Sequence, residues 1–139
     1  MLLLRRRHPP NAGLWNGVGG KLEPGEDPYT GCIREVAEET GLAIADPQLR
    51  ALLVISVREP ITLWVIFVFA ASAPDAEPIS SEEGELRWVE LAAVPSVPLP
   101  PDVPLILPGL FTDDEVQVVR AEYSTEDLKT LTRLEVVKL

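Results

Sequence analysis

The sequence predicts an α+β fold, a mixed β-sheet covered by helices, and three features carry that reading. One helix, opening after Asp27 and closing at Gly41, is marked by its caps and by its apolar spacing. Runs rich in Leu, Val and Ile lie beyond it and read as strands, and the break at Glu59-Pro60 joins two of them as a hairpin. No internal repeat and no compositional break divides the chain, so residues 1–139 are read as one domain.

The elements follow in order. Residues 2–4 are a short strand-like run ending in Arg5, Arg6 and Arg7. Residues 8–13 read as a loop, with the lone His8 a loop residue. Residues 14–22 carry Gly17, Gly19 and Gly20, and such a stretch lets backbone approach a ligand closely, because glycine lacks Cβ. Asp27 is a good N-cap, Pro28 suits the first helical position and Gly41 the C-terminal cap. Ile33, Val36, Ala37 and Thr40 make one face of this helix, and Glu35, Glu38 and Glu39 fall together on the other. Gly31 inside it costs about 1 kcal/mol relative to alanine, which close packing against a neighbouring loop explains.

Strands are then expected at 48–58 and 61–71, a polar loop at 73–83 and a strand at 85–91. Residues 95–108 hold six prolines, which leaves room for only a brief helical turn at 102–107. A closing strand pair is expected at 115–123 and 132–137. Trp64 and Trp88 read as core residues.

Composition narrows the function. The chain of 139 residues has 22 Asp+Glu against 12 Lys+Arg, a net charge of −10, with 46% hydrophobic and 24% charged residues. That balance is globular, and it excludes a protein that wraps polymeric DNA or RNA, which needs basic stripes. A small anionic substrate stays compatible if a cation mediates its binding. The single cysteine, Cys32, excludes an intrachain disulfide framework and a Cys-rich zinc site, and a reducing cytoplasm is the simplest compartment. The longest apolar run, 61–73, is too short for a membrane span. The start places apolar residues before basic ones, the reverse of a signal peptide.

An isolated glutamate triplet is ordinarily a solvated helix face, but here a glycine-rich loop feeds the helix and Arg34 precedes the first glutamate. Clustered hard carboxylate oxygens suit Mg²⁺ or Mn²⁺, ions that also bind phosphates. Gly20, Glu26 and then Arg34-Glu35-Val36-Ala37-Glu38-Glu39-Thr40-Gly41-Leu42 fill every fixed position of a known signature over residues 20–42. The chain resembles the Nudix hydrolase family on these residues. The resemblance implies an α/β/α sandwich that hydrolyses a nucleoside diphosphate linked to another group, with Mg²⁺ or Mn²⁺ as cofactor.

Carried over by residue, the resemblance implies Glu38, Glu39 and the carbonyl of Gly20 as metal ligands. Glu35 becomes a ligand or the general base, Arg34 orients Glu35, and Glu26 steadies the loop–helix junction through Arg34. A further carboxylate comes from the 80–85 stretch, with Glu83 favoured and Glu82 next. Residues 14–21, Lys21 included, resemble the 8-oxo-dGTP diphosphatases that clean oxidised nucleotides from the pool. In that branch Asn16 and Asp102 occupy the positions that read the purine. This chain departs from the branch in having a single Asp there and prolines in place of an aromatic residue. Arg6 is the arginine favoured to reach the phosphates, because alternation sets it opposite Arg5 and Arg7.

A pyrophosphatase for a nucleotide sugar or a pterin triphosphate is the alternative within the family, and a binding module without turnover is the alternative outside catalysis. The partners expected are a small nucleotide, no polymeric nucleic acid and no membrane. With the strand at 2–7 left as an unpaired sheet edge, either a homodimer through that edge or a natural start upstream of Met1 is expected.

Overall fold

The computed structural model describes residues 1–112 and 115–139. In chain order the elements are β1 (Leu2–Arg6), β2 (Trp15–Asn16), α1 (Pro28–Thr40), β3 (Ala45–Glu59), β4 (Thr62–Ser72), β5 (Gly84–Trp88), a 3-10 helix (Leu91–Ser96), α2 (Val103–Thr112), β6 (Gln117–Thr125) and β7 (Leu131–Lys138). The strands form two sheets, ordered β2-β1-β5 and β4-β3-β6-β7. Among the described residues the β3–β6 pair alone is parallel, which makes the larger sheet the mixed sheet expected.

The long strand β3 organises the core. Ala51, Leu53, Ile55 and Val57 alternate on one face and are buried. Their parallel partners on β6 include Val119, Ala121 and Tyr123, which are fully buried. Ile106, Leu107 and Leu110 of α2 close over this face, and Leu3 and Trp15 reach it from the smaller sheet. Burying each such side chain is worth about 1.5–3 kcal/mol, so this cluster fixes the relation of the two sheets.

Helix α1 forms where its caps predict. The Asp27 carboxylate accepts from Thr30 N at 2.9 Å, and Gly41 closes the helix with φ 71°, a left-handed conformation open to glycine. Gly31 sits against Leu22 and Glu26, where a Cβ would collide with both, so its helix cost is offset by close approach of the loop.

Several expectations are corrected. β1 is not left unpaired at an edge: β5 pairs with it along Leu2–Arg6 and β2 pairs with it at Leu4 and Arg5. The missing partner is Trp15–Asn16, two residues that local pattern assigns to a loop. The α2 helix runs to Thr112 through Pro108, well past 107. Pro108 removes one helical hydrogen bond, but Ile106, Leu107 and Leu110 anchor the helix on both sides of it. The strand before it stops at Trp88, and residues 91–96 turn into the 3-10 helix. Trp64 packs against the core as expected, whereas Trp88 is 44% exposed beside the 73–77 loop.

Candidate active site

Arg34 stands at the centre of a carboxylate cluster. Its Nε and Nη2 donate to Glu26 Oε1 and Oε2, both at 2.8 Å, a two-pronged pair. Its Nη1 donates to Glu35 Oε1 at 2.9 Å and to Glu38 Oε2 at 3.1 Å. Its Nη2 also reaches the carbonyl of Lys21 at 3.1 Å. A planar guanidinium can hold several acceptors in fixed directions, which lysine cannot. Glu26 in turn accepts from Glu23 N at 3.0 Å, so it locks loop to helix. The Arg34 hydrogen bonds come first among the causes that hold its carboxyl well below the usual range.

Glu39 is different. The helix wheel groups it with Glu35 and Glu38 on an exposed face, but it is only 7% exposed. The reason is tertiary: the glycine loop folds over it, and Gly19 N donates to its Oε2 at 3.1 Å. Burial pushes its pKa up to about 7, with Glu35 and Glu83 adding repulsion, while Gly19 and the positive charge of Arg6 act in the opposite sense. Four sequence-selected residues, Glu35, Glu39, Glu83 and Arg6, therefore share one electrostatic environment.

Gly20 completes the floor. A Cβ added there would overlap the Glu35 carboxylate, so any larger residue would push the end of that side chain aside. Glu83 belongs to a turn tied to the end of β1, where Arg7 N donates to its carbonyl at 3.0 Å. Its neighbour Glu82 offers its carbonyl to Arg7 Nη1 at 3.4 Å. Arg6 is half-buried and steadied by its Nε bond to the Pro10 carbonyl at 2.9 Å, whereas Arg5 is exposed. Lys21 is exposed on the same loop.

Among the described residues no three acidic, His or Cys side chains already converge on one point, since Arg34 draws Glu35 and Glu38 toward itself. The donor set still fits a hard divalent cation. It consists of carboxylate oxygens and loop carbonyls, and Glu39 is a buried carboxylate whose nearest bonded partner is a neutral N–H. Glu35, Glu38, Glu39 and Gly20 are the residues that would hold the ion.

The purine-reading candidates belong to other elements, Asn16 to β2 and Asp102 to the segment just before α2. Asn16 is half-buried in β2, and its Oδ1 accepts from Gly17 N at 2.9 Å. Trp15 N donates to the Pro98 carbonyl at 2.8 Å, which ties this strand to the proline segment leading to Asp102. Asp102 is buried, and its Oδ1 accepts from the Tyr123 hydroxyl at 2.6 Å. Burial, and then that bond, raises the Tyr123 pKa, so the phenol stays a donor. Sequence reasoning missed Tyr123 and the Gly19 N–H, because neither has a local signal linking it to its partner. Arg87, stacked 4.5 Å over the Trp15 ring, was missed for the same reason.

Comparison with known proteins agrees with this geometry. The model of the NUDIX domain matches residues 1–110. The chain is 34% identical over 105 residues to the uncharacterized Nudix hydrolase YvcI of Bacillus subtilis (strain 168), which covers 73% of this chain and 65% of that one. It is 32% identical over 102 residues to the oxidized purine nucleoside triphosphate hydrolase of Mus musculus, with the same 73% and 65% coverage. The chain thus spans about 65% of the length of these curated relatives. The crystal structure of a MutT protein from Bacillus halodurans superimposes with a TM-score of 0.85 at 27% identity, over 97% of this chain and 88% of that one. With a carboxylate helix, a glycine floor and a domain match over most of its length, the chain belongs to the Nudix family.

Proposed function

We propose that this chain is a divalent-cation-dependent Nudix pyrophosphohydrolase, with Mg²⁺ the preferred ion and Mn²⁺ the alternative. Its proposed substrate is an oxidised purine deoxynucleoside triphosphate such as 8-oxo-dGTP, cleaved to the monophosphate and pyrophosphate. The observation that carries the reading is the bond from Trp15 N to the Pro98 carbonyl. It holds the Asn16 strand against the segment ending in Asp102, next to the loop that runs into the carboxylate helix.

A bound divalent ion supplies charge neutralisation for the polyphosphate and acidifies water. The residues do the rest. In this reading Glu35, oriented by its bond from Arg34, is a metal ligand or the general base that takes a proton from the attacking water. Arg6 offers a half-buried guanidinium to the phosphates. Asn16 presents an amide with both donors and acceptors to a base edge. The name of the mouse relative supports the oxidised purine assignment.

A product-release assay across nucleotides, with Mg²⁺ and with Mn²⁺, tests the reading. Asn16→Ala is expected to lower kcat/KM for 8-oxo-dGTP by about 10–100-fold, the equivalent of roughly 1–3 kcal/mol, and to affect dGTP much less. Equal losses on both would mean that Asn16 shapes the glycine loop. The burial of Asp102 against Tyr123 ties up the carboxyl assigned to purine reading, so the second reading is a family member acting on another nucleotide derivative, such as a nucleotide sugar or pterin triphosphate. A wild-type enzyme without preference for 8-oxo-dGTP over dGTP selects that one.

A further inference from the structure

Asn16 stands on a strand with little of its own to hold it. β2 is two residues long, lies at the end of the order β2-β1-β5 and pairs with β1 at Leu4 and Arg5. Opposed residues of an antiparallel pair share a face, and the faces alternate along each strand. The register therefore puts Asn16 on the face of Leu4 and Arg6, and Arg6 is the arginine whose charge reaches Glu39. Trp15 falls on the reverse face, with Leu3, Glu85 and Arg87.

On that reverse face Arg87 reaches across β1 from β5 and lays its guanidinium 4.5 Å from the centre of the Trp15 ring. Arg87 Nη2 meets the Glu85 carboxylate, on the same face of β5, at 3.5 Å. Trp15 itself is 4% exposed, and its N–H donates to the Pro98 carbonyl at 2.8 Å. Among aromatic rings an indole holds a cation over its face best, and a planar guanidinium stacks where an ammonium cannot. The Arg87 side chain is 53% exposed, so it covers the indole from the solvent side and fills no space inside the core.

We propose that, given the base-reading role proposed for Asn16, Arg87 is a positioning residue for base selection. Stacked on Trp15 from behind, it fixes the short strand that presents the Asn16 amide. It acts from the face opposite Asn16, without contact to the nucleotide. Asn16 follows Trp15 in the chain, so any turn of the indole carries the Asn16 backbone with it, and hydrogen bonds weaken steeply with angle. The carboxylates at 35, 38 and 39 hang on α1, apart from this clamp, so a loosened strand weakens base binding more than it slows the chemistry.

Steady-state kinetics with Mg²⁺ on 8-oxo-dGTP and dGTP, together with hydrogen exchange at the Trp15 amide, test the proposal. Arg87→Ala is expected to raise KM for 8-oxo-dGTP about 10-fold, the low end of the loss expected for Asn16→Ala, with kcat changed far less. Exchange at the Trp15 amide is expected to quicken. Arg87→Lys, which keeps the charge without the plane, is expected to fall between the alanine variant and the wild type. In an Asn16→Ala background Arg87→Ala is expected to add nothing further to KM, because it acts through that residue. Additive losses, or an equal fall in kcat on both nucleotides, reduce Arg87 to a structural role and overturn the proposal. Unchanged exchange at the Trp15 amide overturns it too. A wild type without preference for 8-oxo-dGTP fails the oxidised-purine reading instead. The exchange and the double-variant comparison, run on the nucleotide then turned over fastest, decide the role of Arg87 in that case as well.

Discussion

Glu38 and Glu39 are neighbours in sequence and opposites in environment. The Glu38 side chain is 59% exposed and meets Arg34 at 3.1 Å, while Glu39 is buried under the glycine loop. Glu38 therefore stands in water, free to turn toward an ion, and its removal leaves no buried group unpaired. Glu38→Gln is expected to lower kcat by roughly 10³-fold, about 4 kcal/mol in barrier, with the melting temperature unchanged. Near-wild-type turnover in Mg²⁺ would remove Glu38 from the metal set. Tyr123 offers the converse case, fully buried and tied to Asp102 in the interior. Tyr123→Phe leaves a buried carboxylate short of a donor, so a stability loss of about 1–3 kcal/mol is expected in urea unfolding. An unchanged midpoint would show that water replaces the phenol.

The loop–helix unit from Gly17 to Gly41 works because its backbone is held from both sides. Arg34 bonds the loop carbonyl of Lys21 and the loop carboxylate of Glu26, and Gly19 N bonds back to the helix at Glu39. The loop cannot shift without moving the carboxylates. Gly20→Ala forces a Cβ into the Glu35 carboxylate and so displaces it from Arg34. A misplacement near 1 Å costs about 10²-fold in rate, and that is the loss in kcat expected, with little change in thermal stability because the loop is at the surface. If Gly20→Ala keeps full activity, the loop has slack that the packing does not show.

Taken as a single charged body, the protein carries a conflict that an ion resolves. The folded-state pKa of Glu39, about 7, lies above its ordinary value of 4.5. Its neutral form is thus favoured by folding: the contribution to stability is complete below about pH 4.5 and is lost as pH rises through about 7. A divalent cation binds the ionised form and returns that stability by mass action. Mg²⁺ is therefore expected to raise the melting temperature more at pH 8 than at pH 5.5, and Glu39→Gln to flatten the difference. A Mg²⁺ shift equal at both pH values in the wild type would place the ion elsewhere.

Helix α1, its caps at Asp27 and Gly41, the glycine loop and the alternating strands β3, β4, β6 and β7 were legible because each is specified by neighbours in the chain. The caps satisfy backbone groups within one turn, and alternation sorts side chains between two faces without reference to any partner. The identity of the acidic residues at the helix was legible for the same reason. Their separate environments were not, because a 100° wheel cannot know that a loop covers Glu39. The central place of β1, the pairing of Asp102 with Tyr123, the passage of α2 through Pro108 and the exposure of Trp88 likewise arose from contacts across long stretches of chain. In each, burial or a distant hydrogen bond outweighed a local preference worth about 1–3 kcal/mol, and that balance is struck only when the two sheets and both helices close on one core.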